Sequence, residues 1–185
     1  MDRLIPAHTA LLVIDVQERL AAAMDVSRMD MLTRNAGILL DAAATLGVRV
    51  FATEQYPKGL GPTVAPLAAK LHAMSVGVLP KMTFDACGDP AVARALASTA
   101  PRAVVIVGME THVCVFQTAR ELVRRGLEVH VVSNAVASRL EESRATGLSL
   151  CERAGAIATT TETVVFDWLE RAGTDAFKTV SKLLK

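Results

Sequence analysis

Residues 10–16 read "ALLVIDV", an apolar run broken only by Asp15. Such a run, without alternation, suits a strand buried on both faces. Residues 28–46 place Met29, Leu32, Ala36, Leu39, Leu40, Ala43 and Leu46 at helical spacing, with Gly47 as a stop signal. The alternation then continues. Strands are expected at 48–53, 76–80, 103–108, 128–133 and 156–161, and helices at 66–74, 89–99, from about 115 to Gly126, and at 140–154. Two helical pieces close the chain. Asp89–Pro90 has the order of an N-cap and a first helical residue. In the helix after 115, Val115, Thr118, Ala119, Leu122 and Val123 form one buried face, and in 140–154 Leu148 and Cys151 point inward. The longest irregular stretches are 54–65 and 81–88. Strands alternating with helices require right-handed crossovers and a parallel sheet covered on both faces. The expected class is α/β, a three-layer α/β/α arrangement around a six-stranded parallel sheet, as one domain over residues 1–185. Ligands of such sheets bind beyond the carboxyl ends of the strands, where strand order reverses.

Composition narrows the function classes. With 185 residues, 51% hydrophobic and 21% charged, the chain can bury a core and is not a disordered composition. A net charge of +1 and 4% aromatics give no basic patch or stacking platform for nucleic acid. The apolar runs are too short to span a bilayer. Asp2 and Asp15 interrupt what would have to be a signal peptide, and three cysteines form no paired framework. A cytoplasmic protein acting on a small molecule, without nucleic-acid or membrane partners, is the expectation.

Three chemistry-bearing residues fall at strand ends. Asp15 follows the first strand, Lys81 the third, and Cys114 the fourth, where "GMETHVC" (108–114) breaks the strand and starts a helix. Each has a plain alternative: a turn Asp, a solvated Lys, a small buried Cys. Together they place a base, a cation and a thiol on one edge of one sheet. A thiol with an ordinary pKa of about 8.5 must lose its proton to attack. A helix N-terminus and an ammonium favour the thiolate, and a carboxylate can take the proton. His112 competes as base, but residues two apart on a helix do not face each other, so it reads as pocket lining or as a solvent-facing loop residue. Gln17, Gln55, Tyr56 and Phe84 follow strand ends and are candidate pocket residues, with Met109 and Thr111 in the turn. Cys87 and Cys151 read as structural.

Asp15, Lys81 and "GMETHVC", in this order along essentially the whole chain, resemble the isochorismatase-like cysteine hydrolase superfamily, which includes nicotinamidases and N-carbamoylsarcosine amidases. "TEQYPKGLG" (53–61) is similar to its isochorismatase-domain-containing branch. The resemblance implies sheet order 3-2-1-4-5-6, a homo-oligomer, Asp15, Lys81 and Cys114 as the catalytic set, an oxyanion hole from the Glu110 and Cys114 N–H groups, and a cis Met109–Glu110 peptide. Two departures bear on substrate. Nicotinamidases carry an Asp-x-His metal motif after the second strand, where this chain has "TEQYPKG". Its four histidines, His8, His72, His112 and His130, have no metal-ligand spacing, so no metal and no cofactor are expected. Isochorismatases proper lack the cysteine. The expected activity is hydrolysis of a small amide's C–N bond through a thioester. The alternative is a redox-sensitive thiol or a small-molecule-binding protein without turnover; a nucleotide-binding module is disfavoured by the lack of any glycine-rich phosphate loop. The stripe Phe177, Val180, Leu184 is the residue-level candidate for an oligomer surface.

Overall fold

The computed structural model describes residues 2–184. Six parallel strands form one sheet: β1 Thr9–Ile14, β2 Arg49–Gln55, β3 Val78–Lys81, β4 Ala103–Met109, β5 Glu128–Ala137 and β6 Ile157–Thr159. Their order is β3-β2-β1-β4-β5-β6, so the reversal lies between β1 and β4. The helices are α1 Glu18–Ala21, α2 Val26–Leu46, α3 Pro57–Leu60, α4 Ala65–Ala73, α5 Pro90–Ala97, α6 Phe116–Arg124, α7 Glu141–Arg153, α8 Thr161–Leu169 and α9 Asp175–Val180.

The central strands are apolar on both faces because helices cover both. Leu11 and Val13 of β1 and Val105 and Val107 of β4 join α2 and α8 in one core cluster. Ala10, Leu12 and Ile14, with Val104 and Ile106, join α6 and α7 residues in the other. Alternate side chains of a strand point to opposite faces, so one apolar run feeds two cores. The Gly47 stop and the Asp89–Pro90 cap work as the sequence suggests, and Asp25 adds a further cap. Asp25 accepts from the Arg28 N–H, Asp89 accepts from the Ala91 N–H with Pro90 first in α5, and Gly47 (φ 72°) ends α2 in the left-handed conformation.

Three expectations change. β2 runs on to Gln55, and β5 runs on to Ala137 past a register shift opposite Ile106–Gly108. Polar clamps hold that extension: Asn35 Nδ2 donates to the Asn134 carbonyl at 2.6 Å, and Arg144 donates to the Ser133 and Val136 carbonyls. The stretches at 54–65 and 81–88 contain α3 and a 3-10 turn at Ala86–Gly88. The C-terminal stripe docks on its own domain. Val180 is buried, and Phe177 and Leu184 pack against the α2/α8 core, so this stripe is not a free assembly surface.

Candidate active site

The strand reversal brings the three residues together. Ile14 pairs with Thr53 on one side and Gly108 on the other, so Asp15 emerges between β2 and β4. It turns the chain with φ 51°, a left-handed conformation uncommon outside glycine. Its N–H donates to the Thr53 carbonyl at 3.1 Å, and Thr53 Oγ1 donates to Oδ1 at 2.7 Å. Oδ2 meets Lys81 Nζ at 2.7 Å, with both side chains fully buried.

Lys81 faces Gln55 in the β2–β3 register. Its ammonium donates to Gln55 Oε1 at 2.7 Å and to the Thr83 carbonyl at 3.1 Å, with the Phe84 carbonyl at 3.5 Å. With Asp15, three close acceptors match the three protons of an ammonium. Lys81 is therefore fixed in place and grips Asp15.

Cys114 sits in a π-helical turn, Thr111–Val115, that leads into α6. Gly108 (φ 125°) makes this entry possible, since a Cβ there would lie 2.0 Å from the Ile14 carbonyl oxygen. The Met109–Glu110 peptide is cis. The Glu110 carbonyl accepts from the N–H groups of Val113 and Val115, which close the turn around Cys114. The thiol, 6% exposed, interacts with both Asp15 and Lys81.

Burial, then the Asp15 charge, push the Cys114 thiol up to about 12, and the opposing pull of Lys81 does not offset them. On sequence alone, the helix start and the cation favour a thiolate. Burial works against this, and its effect on the thiol exceeds the opposing pull of Lys81.

The other candidates divide. Tyr56 and Phe84 are half exposed at the ends of β2 and β3, and His112 is half buried in the turn. His112 Nδ1 lies 3.0 Å from Ser138 Oγ, and its place two residues before Cys114 within a helical turn argues against a direct dyad. Gln17 does not line a pocket. Its amide is spent on the Gln55 and Gly61 carbonyls and the Gln55 N–H, which pins the loop after β2. Gln55, fixed by Nε2 to the Met82 carbonyl at 3.0 Å, holds Lys81 instead of lining a pocket. Met109 is wholly inside the α2/α8 core. Thr111 is fully buried, and its Oγ1 has no partner among the described residues. Glu54 caps the Thr63 loop through N–H and Oγ1 at 2.6 and 2.8 Å, and among the described residues no three His, Cys, Asp or Glu side chains converge at a metal-binding spacing.

Sequence reasoning missed Thr53, Ser138, Arg139 and Gly147. Thr53 looks like any β-branched strand residue. Ser138 and Arg139 follow the true end of β5, which the strand expected at 128–133 hid.

Residues 9–163 match the model of the family described as the isochorismatase domain. The chain belongs to the isochorismatase-like hydrolase family. It is 37% identical over 188 residues to the secreted isochorismatase effector Isc1 of Phytophthora sojae, covering 100% of this chain and 88% of that protein. It is 34% identical over 186 residues to isochorismatase domain-containing protein 2 of Danio rerio, covering 100% and 90%. The structure of the MAR1 ribonuclease from Caenorhabditis elegans superposes with a TM-score of 0.92 at 38% identity, covering 99% of this chain and 92% of that one. Among the described residues no helix is long and apolar enough to cross a membrane.

Proposed function

We propose that this family member is a cysteine hydrolase that cleaves the C–N bond of a small amide through a thioester on Cys114. The observation that carries the reading is the burial of the Cys114 thiol beside a carboxylate that a lysine holds in place. This is the arrangement before proton transfer. The thiol proton passes to Asp15 as sulfur attacks the carbonyl carbon, and the new oxyanion is met by the Glu110 and Cys114 N–H groups. Collapse breaks the C–N bond, and the amine leaves with the proton from Asp15. Water then gives a proton to Asp15 as its oxygen attacks the thioester, and collapse of this second intermediate returns that proton to sulfur and releases the acid. Lys81 keeps Asp15 in position and offsets negative charge throughout.

Burial also favours a small substrate. Asp15 and Lys81 are almost wholly enclosed and Cys114 nearly so, so a compact acyl group fits this approach better than a polymer. The redox-sensor reading is weaker, because a carboxylate held by a lysine beside the thiol suits proton transfer during attack on a carbonyl, which a sensor thiol does not need.

The test is an ammonia- and amine-release screen over small amides with wild type, Cys114→Ala and Asp15→Asn, with an RNA arm because the C. elegans protein is named a ribonuclease. Release by wild type alone supports the reading. Release by Cys114→Ala, or RNA cleavage without amide hydrolysis, overturns it.

A further inference from the structure

Glu110 occupies an awkward place in this scheme. Its N–H is the proposed oxyanion donor, yet its side chain is a carboxylate only 7% exposed. An unneutralised carboxylate here opposes the negative charge that the same residue's N–H is meant to stabilise, and in a poorly solvated site that opposition is strong.

The segment joining β5 to α7 answers this charge. Glu110 Oε2 accepts from the backbone N–H of Arg139 at 3.0 Å and from its Nε at 3.1 Å. The residue before it, Ser138, holds His112 Nδ1 at 3.0 Å through its hydroxyl. Further along, α7 packs backbone to backbone on the turn at Gly147, where a Cβ would lie 2.6 Å from the His112 nitrogen and 2.7 Å from the Thr111 carbonyl carbon. Three consecutive residues of the nucleophile turn, 110, 111 and 112, are thus gripped from one side. The Asp15–Lys81 pair holds the site from the other.

We infer that Arg139 is a positioning residue of the oxyanion end of the site: its guanidinium neutralises the Glu110 carboxylate and anchors the turn, so that the Glu110 N–H meets the developing oxyanion without an opposing charge beside it. The effect belongs to the transition state, because the neutral substrate carbonyl carries no full charge to repel. Arg139 should therefore act on kcat and leave KM nearly unchanged.

This inference rests on the cysteine-hydrolase reading, and the test separates the two. Wild type, Arg139→Ala, Arg139→Lys and the double variant Arg139→Ala/Glu110→Gln are assayed on the amide that wild type hydrolyses best. Arg139→Ala should lower kcat by about 10- to 100-fold, less than deletion of an oxyanion donor outright, with KM within about threefold. Arg139→Lys should fall between the two, since it keeps the charge and loses the fork. The double variant should regain most of the lost kcat, because Glu110→Gln removes the charge while the new amide oxygen still accepts from the backbone N–H at position 139. A merely structural role for Arg139 would not be rescued this way, since Glu110→Gln restores no side-chain contact to the truncated position. Truncation leaves the Glu110 carboxylate its bond from the backbone N–H at position 139, so it should cost less stability than loss of the Lys81 counter-ion, and melting curves check that each variant is folded. Arg139→Ala with kcat within twofold of wild type, or a double variant no faster than Arg139→Ala, overturns the inference alone. Wild type with no amide turnover and no Cys114 adduct overturns the hydrolase reading and this inference with it.

Discussion

Two lysine–aspartate pairs in this molecule have the same shortest separation and opposite surroundings. Lys70–Asp41, between α4 and α2, and Lys81–Asp15, at the strand reversal, each bring N and O to 2.7 Å. The first pair is 36% and 38% exposed; the second is completely enclosed. An exposed pair contributes about 0–1 kcal/mol, because water already solvates both ions. A buried pair loses that solvation at a cost of several kcal/mol per ion, and only good geometry and further hydrogen bonds offset it. Lys81–Asp15 has them: Gln55 and the Thr83 carbonyl on the ammonium, Thr53 on the carboxylate. A fold that needed only stability would be served as well by apolar residues of the same volume. The buried pair is better explained by the thiol beside it than by the sheet around it.

The largest expected effect breaks the buried site chemically. Cys114→Ala should lower amide turnover by about 10⁴-fold or more, and Asp15→Asn by a comparable factor, as for groups that act as a unit. Circular dichroism and melting should show both variants folded. Retention of more than a tenth of wild-type turnover in either would remove that residue from the mechanism.

Stability is the next contrast. Lys81→Ala leaves a buried carboxylate without its counter-ion and should cost about 3–5 kcal/mol in urea unfolding. Lys70→Ala should cost under about 1 kcal/mol. Similar losses for the two would mean that burial is not what distinguishes the pairs. Gln55→Leu sharpens the comparison without touching either ion. It leaves one Lys81 donor and the Met82 carbonyl unpaired, at about 1–3 kcal/mol, and it should slow turnover by loosening Lys81. A stability loss with unchanged kcat would confine Gln55 to a structural role.

A further effect lies at alkaline pH. Burial pushes the thiols up, to about 11 for Cys87 and about 12 for Cys114 and Cys151, from 9.0. A folded-state value above the unfolded one means that these thiols contribute stability in full below about pH 9. That contribution is lost as pH rises toward 12, because the unfolded chain ionises first. Each thiol adds at most about 1.4 kcal/mol per pH unit to the slope in that window. Cys151→Ala should flatten the fall in stability between pH 9 and 11, read by urea titration; an unchanged slope would show that Cys151 ionises as readily when folded.

The two pairs also show what is legible in the sequence. Apolar runs, the Gly47 stop and the Asp89–Pro90 cap carry period and punctuation in the residues themselves, and the helices and strands follow from them. Asp15, Lys81 and Cys114 are visible because each stands at a strand end, where side chains reach the crevice. Strand-end position does not separate residues that face the crevice from those that hold it together. Gln17 and Gln55 therefore read as pocket residues in the sequence, although their amides are spent on backbone and on Lys81. Met109 is the last residue of β4 and falls into the core. A helix start that favours a thiolate is visible in sequence, whereas the burial that opposes it depends on packing from distant elements. Arg139 is hidden for the same reason: its partner Glu110 is 29 residues away in the chain, across the β5 extension that the apolar pattern does not announce.

The most direct test of the central claim is rapid-quench intact-mass spectrometry of the wild-type protein turning over its best amide. The account expects a transient mass increase equal to the substrate's acyl group, located on the Cys114 peptide, which forms and decays at rates compatible with kcat and is absent from Cys114→Ala and Asp15→Asn. Amine release at the wild-type rate with no acyl mass at any quench time, together with turnover by Cys114→Ala, would contradict it.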